Sequence, residues 1–326
     1  MRFIHSLPVP FWLTYLILFA LQGTLNFVIA WGERSLPAAF VRILLIFPLW
    51  QWIPLAIVTF LNDTAKKVLD SFRPLLKIDD EQFSLLKAEF TTMPARGVLF
   101  SSLFWLVFYL IIFMLYKDSY RTVGFGPNIR WVTFIEGALC YSTGGVIYFH
   151  SLRQLALINR TVKRVERFNL FELEPVYAFS RLTALTGISW MLMLGLTLLF
   201  FPPVLAPGLM LLLSFLMLIF AFSAFAFPLR AVNQHLAQEK QALLAEHQRR
   251  VEATLSLFHN HLDQGNLTGM EQFDKAIASL TAERKILDDI PTWPWRTATL
   301  TGFLSAAVLP VVLLLIQIAI QRWLSR

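Results

Sequence analysis

"WVTFIEGALCYSTGGVIYFH" occupies residues 131–150, and its reading decides the fold of the chain. Its residues are mostly apolar and include no Lys, Arg or Asp, and at roughly 20 residues a helix is long enough to cross the hydrocarbon of a bilayer. Yet it carries Glu136, followed by the small residues Gly137, Ala138, Ser142, Gly144 and Gly145. Small side chains let a second helix approach the backbone closely. The pattern predicts a packing helix, at the centre of a bundle or at a contact with a second copy, bearing one charge that needs a partner.

The rest of the chain places this segment among others like it. Of 326 residues 56% are hydrophobic and 15% charged, with a mean hydropathy of +0.60, whereas a soluble domain carries about 25% charged residues. Seven apolar windows stand out, near 11–31, 39–61, 97–116, 131–150, 184–202, 207–228 and 299–321. Helices are the economical form for all of them, because lipid offers no partner to a bare N–H or C=O. The first window has no small-residue cleavage site behind it and is expected to be a retained anchor. The expected fold is therefore all-α, a polytopic membrane bundle of about seven transmembrane helices with a cytoplasmic antiparallel hairpin. Its segments are helices one and two (1–61), an inner helical segment (62–96), helices three and four (97–150), a basic juxtamembrane segment (151–183), helices five and six (184–228), the hairpin (229–298), and helix seven with a short tail (299–326).

Orientation follows from the basic residues. If the N-terminus and alternate loops share one side, that side holds 21 of the 28 Lys and Arg and the other holds seven. An excess of Lys and Arg in short loops marks the cytoplasmic side. The expected location is the cell membrane, multi-pass, with the N-terminus cytoplasmic and the C-terminus outside.

All three sizeable polar segments then fall inside. In the longest, Leu236, Leu243, Val251, Leu255, Phe258 and Leu262 form the apolar seam of a helix. "DQGNLTG" breaks it, with Gly265 and Gly269 as turn residues. A second helix with Met270, Phe273, Ile277, Leu280 and Leu287 on one face ends at "IPTWPW", where Pro291 and Pro294 stop it. Trp293 and Trp295 are placed where the chain re-enters the membrane interface. In the first inner segment Asp79 and Asp80 are set to cap a helix carrying Phe83, Leu85, Leu86 and Phe90. In the third, Arg153, Arg160, Lys163, Arg164 and Arg167 are expected to meet anionic lipid headgroups, each contributing about 1 kcal/mol near the surface. Nucleic acid is not an expected partner, since no aromatic and basic groove or known module accompanies them.

Several activities lack their residues. The last window has no lysine for a retinal Schiff base, and His150, at the end of a span, is the only intramembrane histidine available to a haem. HExxH, GxSxG, GxxxxGK[ST] and GxGxxG are absent. His259 and His261 lie two apart, on nearly opposite helix faces, and do not suit chelation. "NRT" and "NLT" match the glycosylation triplet but lie on the cytoplasmic side, and Cys140 reads as a small packing residue. Pro48 and Pro54 are expected to kink helix two around Gln51. Neither enzyme activity nor a cofactor or metal is expected.

Counting from the ends of the windows, Glu136 lies roughly 7 Å deep in the outer leaflet and Arg42 about 4 Å deep. Asn26 and Gln317 fall at similar depths, with Gln22 one turn further in, so five polar groups from four helices share a layer. Two accounts fit. In one, Arg42 and Glu136 form a partly buried ion pair completed by the amides, because an unpaired charge there is expensive. In the other, the layer lines a small outward-facing cavity for an ion, a proton or a small solute. The expected function is a non-enzymatic signalling or assembly component that couples the bundle to a cytoplasmic partner through the 229–298 hairpin. The alternative is a small channel or transporter using the layer around Glu136. Expected partners are membrane lipid, a cytoplasmic or membrane protein, and another copy of the chain.

Overall fold

The computed structural model describes residues 8–35, 42–122, 124–165, 168–200, 207–265 and 269–324. Every regular element in them is helical. In chain order these are α1 (Phe11–Gly32), α2 (Ile43–Phe72, followed by a short 3-10 turn at Arg73–Leu75), α3 (Asp80–Thr91), α4 (Ala95–Thr122), α5 (Pro127–Val162), α6 (Glu174–Phe200), α7 (Pro207–Asp263), α8 (Met270–Asp289) and α9 (Thr297–Leu324). Six of them (α1, α2, α4, α5, α6 and α7) contain stretches long and apolar enough to cross a membrane; the described apolar stretch of α9 is the shorter Thr297–Leu313.

Several helices outrun the windows expected from hydropathy. α2 continues past residue 61 to Phe72, α5 past 150 to Val162, and α6 begins at Glu174 rather than near 184. α7 does not stop at 228 but runs through Pro228 to Asp263, about 85 Å at 1.5 Å per residue. Hydropathy windows end where the side chains become polar, whereas the backbone ends where packing and capping stop it. Pro228 is tolerated because the helix is held on both sides of it, with Ala224 and Leu229 buried. The extensions all lie at one end of the bundle, here called the cap end; the opposite, loop end carries the ends of α1, α4 and α6 and the starts of α2, α5 and α7.

α2 packs against α1, α5 and α6, and α5 packs against α4, α1 and α7 as well. The centre is thus shared by α2 and α5 rather than held by α5 alone. α4 flanks α5 and leaves a row of apolar side chains outward, among them Phe100, Phe104 and Leu115. Close approach of α4 rests on two of the small residues of α5. A Cβ on Gly137 would run into the Tyr109 ring, and one on Gly145 into Trp105, while Gly144 has open space around it. Ser142 Oγ donates to Ser102 O at 3.4 Å, and Ala138 is partly exposed.

The largest apolar cluster is at the cap end, where Phe72, Phe90, Ile158, Phe179, Leu236 and Leu287 draw α2, α3, α5, α6, α7 and α8 together. Asp79 caps α3 by accepting from Gln82 N at 2.7 Å, and Phe83, Leu86 and Phe90 are buried as expected. Leu85 is not: it is 63% exposed. Asp80 pairs with Arg73 instead of capping. The α7–α8 hairpin turns between Gly265 and Gly269, both at positive φ, where glycine avoids a Cβ clash. Its cap-proximal half is locked down by Leu236, Leu243, Leu287 and Ile290. Further out, Leu255 and Leu262 are exposed, and Phe258 meets Phe273 edge to face at 5.6 Å. Trp293 and Trp295 stack on each other, and Trp295 continues the stack onto Phe225 and Phe303.

Candidate functional site

The site builds up from Pro48. A proline inside a helix has no N–H for the carbonyl four residues earlier, so Leu44 O is left without its intrahelical donor. Asn26 of α1 takes that place, its Nδ2 donating to Leu44 O at 3.0 Å. The same amide nitrogen donates to Glu136 Oε2 of α5 at 2.9 Å. Gln22, one turn earlier on α1, donates to Glu136 Oε1 at 2.6 Å and accepts from Trp52 Nε1 at 2.5 Å. Three helices therefore meet at one carboxylate. Asn26 is fully buried and Glu136 is 7% exposed.

Of the residues expected in one layer, the structure brings Gln22, Asn26 and Glu136 together and places the Arg42 guanidinium elsewhere. The guanidinium is exposed and donates to Leu199 O at 3.2 Å, and the carboxylate's two oxygens are taken by the amides. Among the described residues no cation pairs with Glu136. Depth is not the reason, since Leu44, two residues after Arg42, shares Asn26 with Glu136; the reason is direction, the guanidinium turning to the end of α6 at Leu199 O. The side chain of Gln317 lies outside the described residues, so its expected place in the layer does too. Asn26 Oδ1 is buried and has no hydrogen-bond partner among the described residues.

The polar seam continues between α2 and α5. Cys140 Sγ donates to Phe47 O at 3.0 Å, and Gln51 Nε2 donates to Thr143 Oγ1 at 3.3 Å. Nearer the cap end His150 Nε2 lies 2.7 Å from Asn62 Oδ1, which also accepts from Gln154 Nε2 at 2.7 Å. Gln154 Nε2 donates as well to Phe90 O at 2.9 Å, tying α3 to the knot. His150 and Gln154, four apart, share a helix face, a spacing that could have flagged them. Their partner Asn62 was missed because it lies one residue beyond the apolar window of α2.

Glu33 was also missed. Its carboxylate accepts from Asn128 N at 2.7 Å and Ile129 N at 3.0 Å, supplying the anion that a helix N-terminus favours. This bond ties the end of α1 to the start of α5 and so fixes both helices of the layer.

The basic segment is only partly available to lipid. Arg160, Lys163 and Arg164 are exposed, but Arg153 is not a free headgroup contact. It donates to Glu89 O and Thr92 O and lies 3.8 Å from Glu89 Oε1, capping the C-terminus of α3. Arg167 lies outside the described residues. Among the described residues there is no group of three or more His, Cys, Asp or Glu side chains that could hold a metal ion.

Chemically, then, the layer offers one carboxylate, two amides and one released carbonyl, in a place nearly closed to solvent. Comparison of the chain with protein-family models, with curated proteins and with solved structures finds no match.

Proposed function

We propose that the chain is a multi-pass protein of the cell membrane whose α7–α8 hairpin couples the bundle to a cytoplasmic protein partner, as a non-enzymatic signalling or assembly component. The observation that carries this reading is the continuity of α7 from Pro207 to Asp263, an apolar helix and a polar arm in one piece. A movement of its apolar half can pass to the arm along the continuous helix, with Pro228 at the junction between them. The arm is braced where it leaves the bundle. Lys240 Nζ donates to Asp288 O at 2.7 Å and to Ile290 O at 2.9 Å, and Asn233 Nδ2 donates to Thr292 O at 3.1 Å. Beyond the brace Leu257 and Ile286 are 56% and 58% exposed and offer apolar contact to a partner. The outward apolar faces of α1 and α4 support insertion in lipid, since soluble proteins rarely leave such continuous apolar surface exposed. The excess of Lys and Arg at the cap end supports a reading in which that end, with the N-terminus, lies in the cytoplasm and the C-terminus outside.

A photo-crosslinking amino acid at Leu257 or Ile286 of the full chain, expressed in cells, tests the coupling. The reading predicts one discrete adduct from both positions, lost when Leu257→Ser and Ile286→Ser are combined with crosslinkers nearby. Diffuse or absent adducts, with an unchanged cellular phenotype after removal of residues 244–286, would contradict it.

A second reading, a small channel or transporter using the Glu136 layer, gains support from the carboxylate having no cationic partner among the described residues. An intramembrane carboxylate commonly marks an ion or proton path. It predicts flux into proteoliposomes that Glu136→Gln abolishes.

A further inference from the structure

We infer that Glu136, Asn26 and the Leu44 carbonyl form a binding site for a single alkali-metal cation. The inference sharpens the second reading by naming a ligand, but binding can be tested whether or not the ion is ever transported.

The first argument is charge. One carboxylate is nearly buried among neutral groups, with no Lys or Arg pairing to it among the described residues. An isolated buried charge is costly unless something of opposite sign accompanies it. A monovalent cation brings the site to neutrality, whereas a divalent ion would leave an uncompensated positive charge. Calcium moreover takes six to eight oxygens, usually from several carboxylates, and among the described residues the layer has one carboxylate.

The second argument is the released carbonyl. Pro48 deprives Leu44 O of its helical donor, and this oxygen points at the same side chain as Glu136 Oε2: both accept from Asn26 Nδ2, at 3.0 and 2.9 Å. Carbonyls released from helix bonding are the usual neutral ligands for alkali cations inside membrane bundles.

The third argument is Asn26. Its Oδ1 is buried without a partner, on a side chain that is 0% exposed. The terminal torsion of an asparagine is soft, and which of its two atoms faces the network depends on what the network contains. With the amide nitrogen inward, its hydrogens stand between two acceptors. Turned by half a rotation, Oδ1 would join Leu44 O and the Glu136 carboxylate as an oxygen ligand around a cation. The charge then acquires a counter-ion and Oδ1 a cation, while Nδ2 turns to the place that Oδ1 leaves. Gln22, fixed by Trp52, holds Glu136 Oε1 in place in either arrangement and is a positioning residue.

Thermal unfolding of the full chain in detergent, in sodium, potassium or choline chloride at equal ionic strength and fixed pH, is the test. The site predicts saturable stabilisation by sodium or potassium over choline, because a ligand that binds only the folded state raises its stability by mass action. The dependence disappears in Glu136→Gln, and that variant in choline is at least as stable as the parent, since it lacks the buried charge. Pro48→Ala restores an N–H for Leu44 O and is expected to raise the half-saturating concentration by about tenfold, the lower edge of the usual loss when a supporting group is changed. Identical unfolding of the unmodified chain in all three salts would overturn the site without recourse to any variant. So would stabilisation by acid that is indifferent to the cation, which would make the proton the only ligand of Glu136.

Discussion

Around Phe72, at the cap end, apolar side chains from six helices close on one another, and the charges nearby are paired: Lys87 with Asp70 at 2.5 Å and Arg153 with Glu89 at 3.8 Å. Around Glu136, towards the loop end, the contacts are hydrogen bonds between polar side chains, and the single charge has no pair among the described residues. The cap end has the composition of a soluble protein core, although it is built from extensions of apolar helices. The layer at Glu136 is polar, although it lies among helices long and apolar enough to cross a membrane. The difference suggests that stability and function are separated along the length of the bundle. The cap holds the helices together, and the layer is left to carry a charge that contributes little to holding them.

The cap is the place to break this contrast with the largest effect. Phe72 is fully buried, with Phe179 edge-on at 4.3 Å. Phe72→Ala is expected to cost about 3–5 kcal/mol, as large-to-small changes in packed aromatic sites do. Chemical unfolding monitored by Trp fluorescence would show it. A loss no larger than that of an exposed substitution would mean the cap is not the principal core.

A middle effect belongs to the α4–α5 contact. Gly145→Ala drives a methyl into Trp105 and should cost about 1–3 kcal/mol, the usual range for overpacking. Gly144→Ala, one residue on and facing open space, should change the melting temperature little. Equal losses from the two would show that helix propensity, and not close approach, governs this stretch.

The smallest expected effect sharpens the contrast within the arm. Lys240→Met keeps the apolar stem but removes the donor to Asp288 O and Ile290 O. The loss should be about 0.3–1 kcal/mol, the usual size of a cation at a helix C-terminus, and should show in hydrogen exchange as faster opening of α8 with α5 unaffected.

What the sequence revealed divides along the same line. The helical class, the apolar stretches, the hairpin turn and the Asp79 cap were legible because each is a local pattern: a run of apolar residues, a pair of glycines, an acid ahead of an amphipathic stretch. The layer was legible as a depth, since Gln22, Asn26 and Glu136 stand out as polar residues in apolar windows. Its pairing was not. Arg42 looked suitable by counting from window edges, and it does stand near the height of the layer, but its guanidinium turns to the Leu199 carbonyl of α6 and not to Glu136. Asn62 was missed and Arg153 misread for a related reason, because they lie on helix extensions that hydropathy ends too soon. The role of Pro48 could be anticipated as a kink, but not as the release of one carbonyl towards Asn26, which requires knowing that α1 crosses α2 at that height.

The most direct test of the central claim, that Glu136 is a lone charge held by neutral groups, is a charge-reversal cycle on thermal stability in detergent: Arg42→Glu, Glu136→Arg and the double exchange. The account predicts a minor change for Arg42→Glu, a large loss for Glu136→Arg, and no recovery in the double exchange. Recovery of the double variant towards the parent's stability would show that the two side chains are paired, and would contradict the account.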